Sequence, residues 1–383
     1  MVMPIPPAGV VRYGEATLSD LLPSALAALT GTGPNPLELP AARTVVVLLI
    51  DGLGWNLLQR HRAAAPFLAG LTGQPLTAGF PTTTAASLAS LGTGLPTGRH
   101  GVTGYTSRLP ELTEPINWLG WQGATSGSKL IDQLVPERVQ PHPTVLERAE
   151  SAGLNVSVVS AAMFEGSGLT RAVLRGGRYR PSLTAADTAV EVAEAAAAGG
   201  LIYCYNPDLD LIGHVRGCRS PHWPVQLRLI DRAVELLAER LPAGTQLLVT
   251  ADHGMVDVPE TAKIDFDADP QLAAGVSMIA GEARTRYLHV EPGCLDQVRR
   301  NWTERLGPDF AVLTRDEVVE RGWYGPRVDP AVAERIGDLV VLALAGGAVV
   351  RRRTEPRLSA LIGQHGALTE DELLVPLLRG SAE

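Results

Sequence analysis

Residues 44–51 read TVVVLLID, an unbroken run of β-branched and aliphatic side chains that ends on an acid. The run is too short for an isolated helix and too apolar for a strand with one face in water. It reads as a central strand of a sheet covered on both faces. The same texture recurs in LNVSVVSA (154–161), LIYCYN (201–206) and TQLLVTAD (245–252). Helical stretches lie between them: TTAASLASLGTG (83–94), HPTVLERAESAG (142–153), AADTAVEVAEAAAAGG (185–200) and WPVQLRLIDRAVELLAERLPAG (223–244). This alternation predicts an α/β fold whose mostly parallel central sheet is sandwiched by helices.

Upstream of the first strand lie a Pro-rich arm and one helix, LSDLLPSALAALTG (18–31), with its stop at Gly31. Downstream, residues 264–350 change character, with short strands in RTRYLHVEP, DFAVLT and LVVLALA and a helix around CLDQVRRNWTERL. This stretch reads as an inserted α+β lid, leaving 1–263 and 351–383 as the main core. A net charge of -8 and a pI near 5.6 argue against a dedicated nucleic-acid binder, which would carry a basic face. Cys204, Cys218 and Cys294 form neither a CxxC pair nor an even set, so no disulfide framework or thiolate zinc site is indicated. The first residues lack the basic start and apolar run of a signal peptide. No stretch reaches the ~18 apolar residues of a membrane span. These features predict a cytoplasmic protein with no membrane partner.

In a parallel sheet the C-terminal strand ends share one edge, where ligands bind. TVVVLLID delivers Asp51 there, LIYCYNPDLDLIGH delivers Asp210 and His214, and QLLVTADH delivers Asp252 and His253. Each fragment has a bland alternative: Asp-Gly is commonly a turn, and DLIGH could be a solvated loop. Asp210 and His214 stand four apart, a spacing that lets both reach one metal from a helical turn. Mixed carboxylate and imidazole ligands suit zinc, with manganese or iron as alternatives. A late GQHGAL (363–368) carries His365 between glycines. The segment FPTTTAASLASLGTG (80–94) sets three threonines at a helix start. Any one of them could simply cap the helix. A helix N-terminus is also a ready site for a phosphate.

Five stretches together, VVVLLIDGLG, FPTTTAASLASLGTGLPTGRHGVTGY, YNPDLDLIGHVRG, LLVTADHGM and GQHGAL, resemble the alkaline phosphatase superfamily in its own motif order. Within it the chain is similar to the type I phosphodiesterase/nucleotide pyrophosphatase branch. The resemblance implies a hydrolase that cleaves phosphodiester or pyrophosphate bonds through a phosphothreonine, with a small phosphate ester or nucleotide as substrate. Counting back ten residues from Gly94, as the family pattern directs, makes Thr84 the implied nucleophile. One divalent ion would be held by Asp51, Thr84, Asp252 and His253, and a second by Asp210, His214 and His365. The chain departs from the pattern at Tyr105, which stands where the diesterases carry an asparagine that holds a phosphoryl oxygen. Tyr105 is therefore a candidate substrate contact.

Phe164 follows a predicted strand near the active edge and could stack on a base, although an aromatic there is more often core. Trp118, Trp121, Trp223 and Tyr324 could line the mouth or pack between core and lid, and Arg351–Arg353 reads as a solvated basic face. A phosphomonoesterase or phosphomutase of the same superfamily is the leading alternative, and a non-catalytic metal-binding module is the alternative of a different class. A sulfatase is disfavoured because no cysteine lies in a C-x-P-x-R context. A serine hydrolase lacks its GxSxG elbow, and GTGLPTG lacks the Gly-Lys-Ser/Thr ending of a P-loop.

Overall fold

A computed structural model describes residues 4–7 and 10–382 of the chain. The 44–51 segment forms β1 (Thr44–Ile50), and every one of its residues is buried. Then come β2 (Thr72–Thr77), β3 (Val156–Ala161), β4 (Arg178–Ser182), β5 (Gly200–Asn206) and β6 (Thr245–Thr250). The chain next builds a separate sheet from β7 (Val276–Glu282), β8 (Thr285–Val290), β9 (Phe310–Thr314) and β10 (Leu339–Ala343). It rejoins the first sheet with β11 (Leu374–Ser381).

The seven-stranded sheet runs β2-β11-β6-β1-β5-β3-β4. β1 lies between β5 and β6 and parallel to both, with Leu49 opposite Tyr205 on one side and Thr250 on the other. β11 runs antiparallel to both of its neighbours. Helices Ala185–Ala197 and His222–Ala238 bury Val192, Leu227, Ile230 and Val234 in the main core. This is the expected helix-flanked, mostly parallel α/β sheet.

Three strands escape the apolar-run pattern. β2 and β4 are edge strands of mixed polarity, TGQPLT and RYRPS. β11 carries Pro376, which faces Pro75 of β2, while pairing with β6 begins only at Leu378. The prolines thus sit where the ladder can lose their donors.

The second sheet is antiparallel in the order β7-β8-β10-β9. Helix Leu295–Leu306 buries Val298, Trp302 and Leu306 in that sheet's own apolar cluster. Its β7–β8 hairpin is fastened to the segment ahead of β11 by a fully buried ion pair. The Arg284 guanidinium donates Nε and Nη2 to the two carboxylate oxygens of Glu372, at 2.8 and 2.7 Å. Its Nη1 donates to the carbonyls of Ala345 and Gly347. Glu372 also accepts from the Ala367 N–H, two residues beyond His365. One side-chain pair therefore ties the hairpin to the loop that carries a predicted site histidine.

Removing one partner of such a pair leaves the other as a buried, uncompensated charge. Arg284→Met is expected to lower the free energy of unfolding by ~3–5 kcal/mol, read from urea denaturation. A loss below ~1 kcal/mol would show the pair to be no better than a surface salt bridge.

Candidate active site

The parallel strands deliver their acids as their direction requires. Asp51 follows β1 directly and Asp252 lies two residues past β6, while β5 runs into helix Asp208–Arg216, which carries Asp210 and His214. Gly52 turns the chain sharply after Asp51 with φ +74°, and a Cβ there would stand 3.1 Å from the Asp210 Cα. Glycine thus permits both the turn and the close approach of the end of β1 to helix Asp208–Arg216.

Two groups of donor atoms result, each able to hold a metal ion: Asp51, Asp252 and His253, and Asp210, His214 and His365. The His253 and His365 rings stack with centroids 3.5 Å apart, so the two groups adjoin. All three histidines are oriented alike. Nδ1 of His253 donates to the Gly254 carbonyl at 2.9 Å, that of His214 to Gly363 at 2.7 Å, and that of His365 to Thr82 at 2.8 Å. This assigns the tautomer and leaves each Nε2 unprotonated, with a lone pair able to ligate a metal, the usual arrangement behind metal-bound imidazole. His253 Nε2 lies 3.4 Å from Asp51 Oδ1, and His214 Nε2 lies 3.3 Å from Asp210 Oδ1.

The electrostatics fit a cation. Asp51 Oδ1, Asp210 Oδ1 and Asp252 Oδ2 are buried without a hydrogen-bond partner. Burial, then the Asp252 and Asp210 charges, push the Asp51 carboxyl well above the usual carboxylate range. Burial lifts Asp210 to about 6, against the pull of His214. Burial drives His253 down to about 3 and His365 well below the ordinary imidazole value. Neutral imidazoles are what ligation needs, and a nearby dication reverses the penalty on the carboxylates.

The three threonines have separate tasks. Thr82 donates its hydroxyl to the Ala367 carbonyl at 2.7 Å and accepts from the Gly366 N–H, fixing the loop around His365. Thr83 is the N-cap of helix Thr84–Thr93, without a side-chain cap bond. Thr84 opens that helix, and its Oγ1 lies 3.2 Å from His253 Nε2. Tyr205, whose hydroxyl donates to Asp51 Oδ2, completes the floor.

Residues 45–368 match the family model of type I phosphodiesterases/nucleotide pyrophosphatases. The chain belongs to this family. Among solved structures, this phosphodiesterase-family chain is similar to murine ectonucleotide pyrophosphatase/phosphodiesterase 5, at TM-score 0.68 and 19% identity over 87% of each chain. An inactive threonine-to-alanine form of that murine protein, in complex with AMP, gives the same TM-score of 0.68. The human counterpart gives 0.67 at 20% identity over 88% of this chain and 87% of that one. Phosphopentomutase of Sinorhizobium fredii (strain NBRC 101917 / NGR234) is 28% identical over 168 residues, and that of Chelativorans sp. (strain BNC1) 28% over 156. The chain spans about 40% of the length of these curated relatives. No helix among the described residues is long and apolar enough to cross a membrane.

Asp51, Thr84, Asp210, His214 and His365 line a cavity of about 630 Å³, while Asp252 and His253 are fully buried outside its lining. Tyr105 lines it, with its hydroxyl accepting from Asn117 at 2.8 Å. Phe164 is half-buried in the wall rather than in the core. Trp118, Trp121, Trp223 and Tyr324 are buried and pack away from the mouth. Arg351 and Arg352 of the basic run pair with carboxylates: Arg351 with Glu355 and Asp267, Arg352 with Glu260.

Glu282, at the end of β7, is a site residue that the sequence reading missed. It lines the cavity, accepts the Tyr105 N–H at 2.8 Å, and keeps Oε1 without a partner. Burial pushes its carboxyl up to about 8, against the Tyr105 N–H, Arg286 and Thr83. The folded protein therefore holds a proton that the unfolded chain releases near 4.5. The stability this contributes is fully present below that value and is lost as pH rises toward 8. Glu282→Gln keeps a neutral group at every pH. Its melting temperature should rise relative to the native protein by several degrees between pH 5 and pH 8.5; parallel melting curves would place the carboxylate in a solvated setting.

Proposed function

We propose that the protein is a metal-dependent phosphodiesterase that cleaves phosphodiester or pyrophosphate bonds through a phosphothreonine at Thr84. The observation that carries this reading is the convergence of three unpartnered carboxylate oxygens and three anchored imidazoles beside one helix-N-terminal threonine hydroxyl.

Asp51, Asp252, His253 and Thr84 would hold one divalent ion, and Asp210, His214 and His365 the other. The carboxylate-imidazole donor set favours zinc, with manganese or iron as alternatives. When bound, such ions lower the pKa of a coordinated hydroxyl and neutralise charge on a phosphoryl group. The chain's own contribution is geometric. Gly254, Gly363 and Thr82 carbonyls lock the imidazoles, and Tyr205 orients Asp51. The start of helix Thr84–Thr93 turns its positive dipole end toward the reacting phosphate.

The Thr84 hydroxyl gives up its proton to solvent and its Oγ forms a bond to phosphorus while the bond from phosphorus to the departing oxygen breaks, that oxygen taking a proton from water. Water cleaves the phosphothreonine, taking the phosphoryl group and restoring the hydroxyl. Covalent catalysis of this kind replaces one hard displacement by two easier ones. The AMP complex of the inactive murine relative supports a phosphate ester as the ligand of such a centre.

Tyr105 in place of the family's asparagine, together with the phosphopentomutase matches, favours one rival: a phosphomonoesterase or phosphomutase on the same centre. Metal-loaded protein is expected to hydrolyse bis-p-nitrophenyl phosphate faster than p-nitrophenyl phosphate. Thr84→Ala should lose at least ~1,000-fold in kcat, in line with removal of a catalytic nucleophile, with its metal content retained. Asp210→Ala and His365→Ala should lose both metal and activity. Preference for the monoester would move the enzyme to the rival reading, and a fully active Thr84→Ala protein would remove the phosphothreonine.

A further inference from the structure

The second sheet carries one buried side chain into the cavity that the chemistry above does not use. Glu282 ends β7, is 8% exposed, and lines the cavity together with Thr83, Thr84 and His365. Its Oε2 accepts the Tyr105 N–H at 2.8 Å, while its Oε1 is buried with no partner in the protein. A carboxyl kept only to hold one backbone amide has no reason to bury a second, unpaired oxygen, because leaving a buried polar atom without a partner is costly.

Its neighbours belong to both halves of the site. A Cβ on Gly366, the residue after His365, would stand 2.5 Å from Glu282 Cγ and 3.2 Å from Oε1. A Cβ on Gly104 would stand 3.8 Å from the same oxygen. The Thr83 side chain, one residue ahead of Thr84, also acts on the carboxyl. Glu282 therefore reaches both the His365 loop and the start of helix Thr84–Thr93. The hairpin is pinned in that position. Thr285 Oγ1 donates to the Gly366 carbonyl at 2.8 Å, and Thr106 Oγ1 donates to the Gly281 carbonyl at 2.8 Å.

The nearby cations are engaged with other acceptors. Arg286 donates to Glu355 at 2.7 Å and to the Val349 carbonyl at 3.0 Å. Arg284 is spent on Glu372 and the Ala345 and Gly347 carbonyls. Burial without a counter-ion of its own favours the neutral acid, and it pushes this carboxyl up to about 8. A neutral carboxyl carries one O–H. Oε2 already accepts from Tyr105, so the proton belongs on the free Oε1.

We propose that Glu282 is a catalytic residue of this centre, its Oε1–H donating a hydrogen bond to a non-bridging oxygen of the phosphoryl group that Thr84 attacks. The assignment rests on the phosphoryl-transfer reading above and is the same for a diester or a monoester. No bond to Glu282 forms or breaks, and its proton stays on Oε1. The hydrogen bond strengthens as charge gathers on the phosphoryl oxygen, which is how a fixed donor accelerates such a step.

The test compares Glu282→Leu, which removes the donor from a buried position, with Glu282→Gln, which restores one in nearly the same shape. Metal content and melting temperature are measured on each metal-loaded protein. On whichever of bis-p-nitrophenyl phosphate and p-nitrophenyl phosphate the native protein prefers, Glu282→Leu should lose at least ~10-fold in kcat/KM, mostly in kcat, with its metal retained. Glu282→Gln should recover at least ~5-fold of that loss. A Leu variant as fast as the native protein, or a Gln variant as slow as the Leu variant, overturns the assignment. Difference infrared spectra give a readout that survives failure of the Leu variant to fold. A carboxylic-acid C=O band present in the native protein and absent from Glu282→Gln should shift when inorganic phosphate binds. A band that does not move on adding phosphate overturns the contact. Hydrolysis of neither ester overturns the phosphoryl-transfer reading, and the infrared shift then decides the Glu282 contact by itself.

Discussion

Three carboxylate oxygens on Asp51, Asp210 and Asp252 lie buried with no donor to satisfy them, and the architecture around the cavity is arranged about that deficit. A buried acceptor without a partner costs about 1–3 kcal/mol, and more when it is charged. A fold that gathers three of them at one sheet edge is not minimising its own energy there. The pKa directions express the same fact: without a cation, burial drives the acids toward protonation and the imidazoles toward neutrality. The histidine carbonyl anchors and the left-handed turn at Gly52 hold the donors in this costly arrangement rather than letting them relax.

That rigidity is inherited from both sheets. The central sheet fixes Asp51 and Asp252 through adjacent parallel strands in register. The second sheet contributes Glu282 and Arg286 through the β7–β8 hairpin, whose turn is bolted by Arg284 to Glu372. The same glutamate also receives the Ala367 N–H, and the Ala367 carbonyl receives the Thr82 hydroxyl. A short chain of buried hydrogen bonds thus runs from the hairpin to His365 and on to the start of the helix bearing Thr84. Each member has its partners satisfied, the condition under which a buried polar network stiffens a fold.

The legible parts of the sequence were those where one physical demand governs many consecutive residues. β1, β3, β5 and β6 are covered on both faces, so their continuous apolar runs announce themselves. The acids at their ends stand out because nothing in core packing asks for Asp51, Asp252 or His253 there. β2, β4 and β11 stayed hidden because edge pairing tolerates polar residues and proline, and no periodic apolar signal survives. Glu282 was illegible for a related reason. One acid in GEARTRY resembles ordinary strand polarity, and only the fold shows it turned inward against Tyr105. The tryptophans illustrate the converse limit: Trp118 and Trp121 could have lined the mouth, and it is their indole bonds to Ser107 and Leu134 that seat them in the core.

The cavity finally joins two kinds of surface that would be antagonistic in water. A polar floor of acids and imidazoles is walled by leucine, valine and phenylalanine. Apolar walls lower the local dielectric, so fixed dipoles and any bound cation act more strongly on a phosphoryl group than they would in an open groove. The same walls penalise every charge that does not meet a partner, which is why Arg286 is already matched to Glu355 and why Glu282 is held neutral. The division of the lining therefore constrains the chemistry of the ligand as firmly as the donor atoms constrain the chemistry of the reaction.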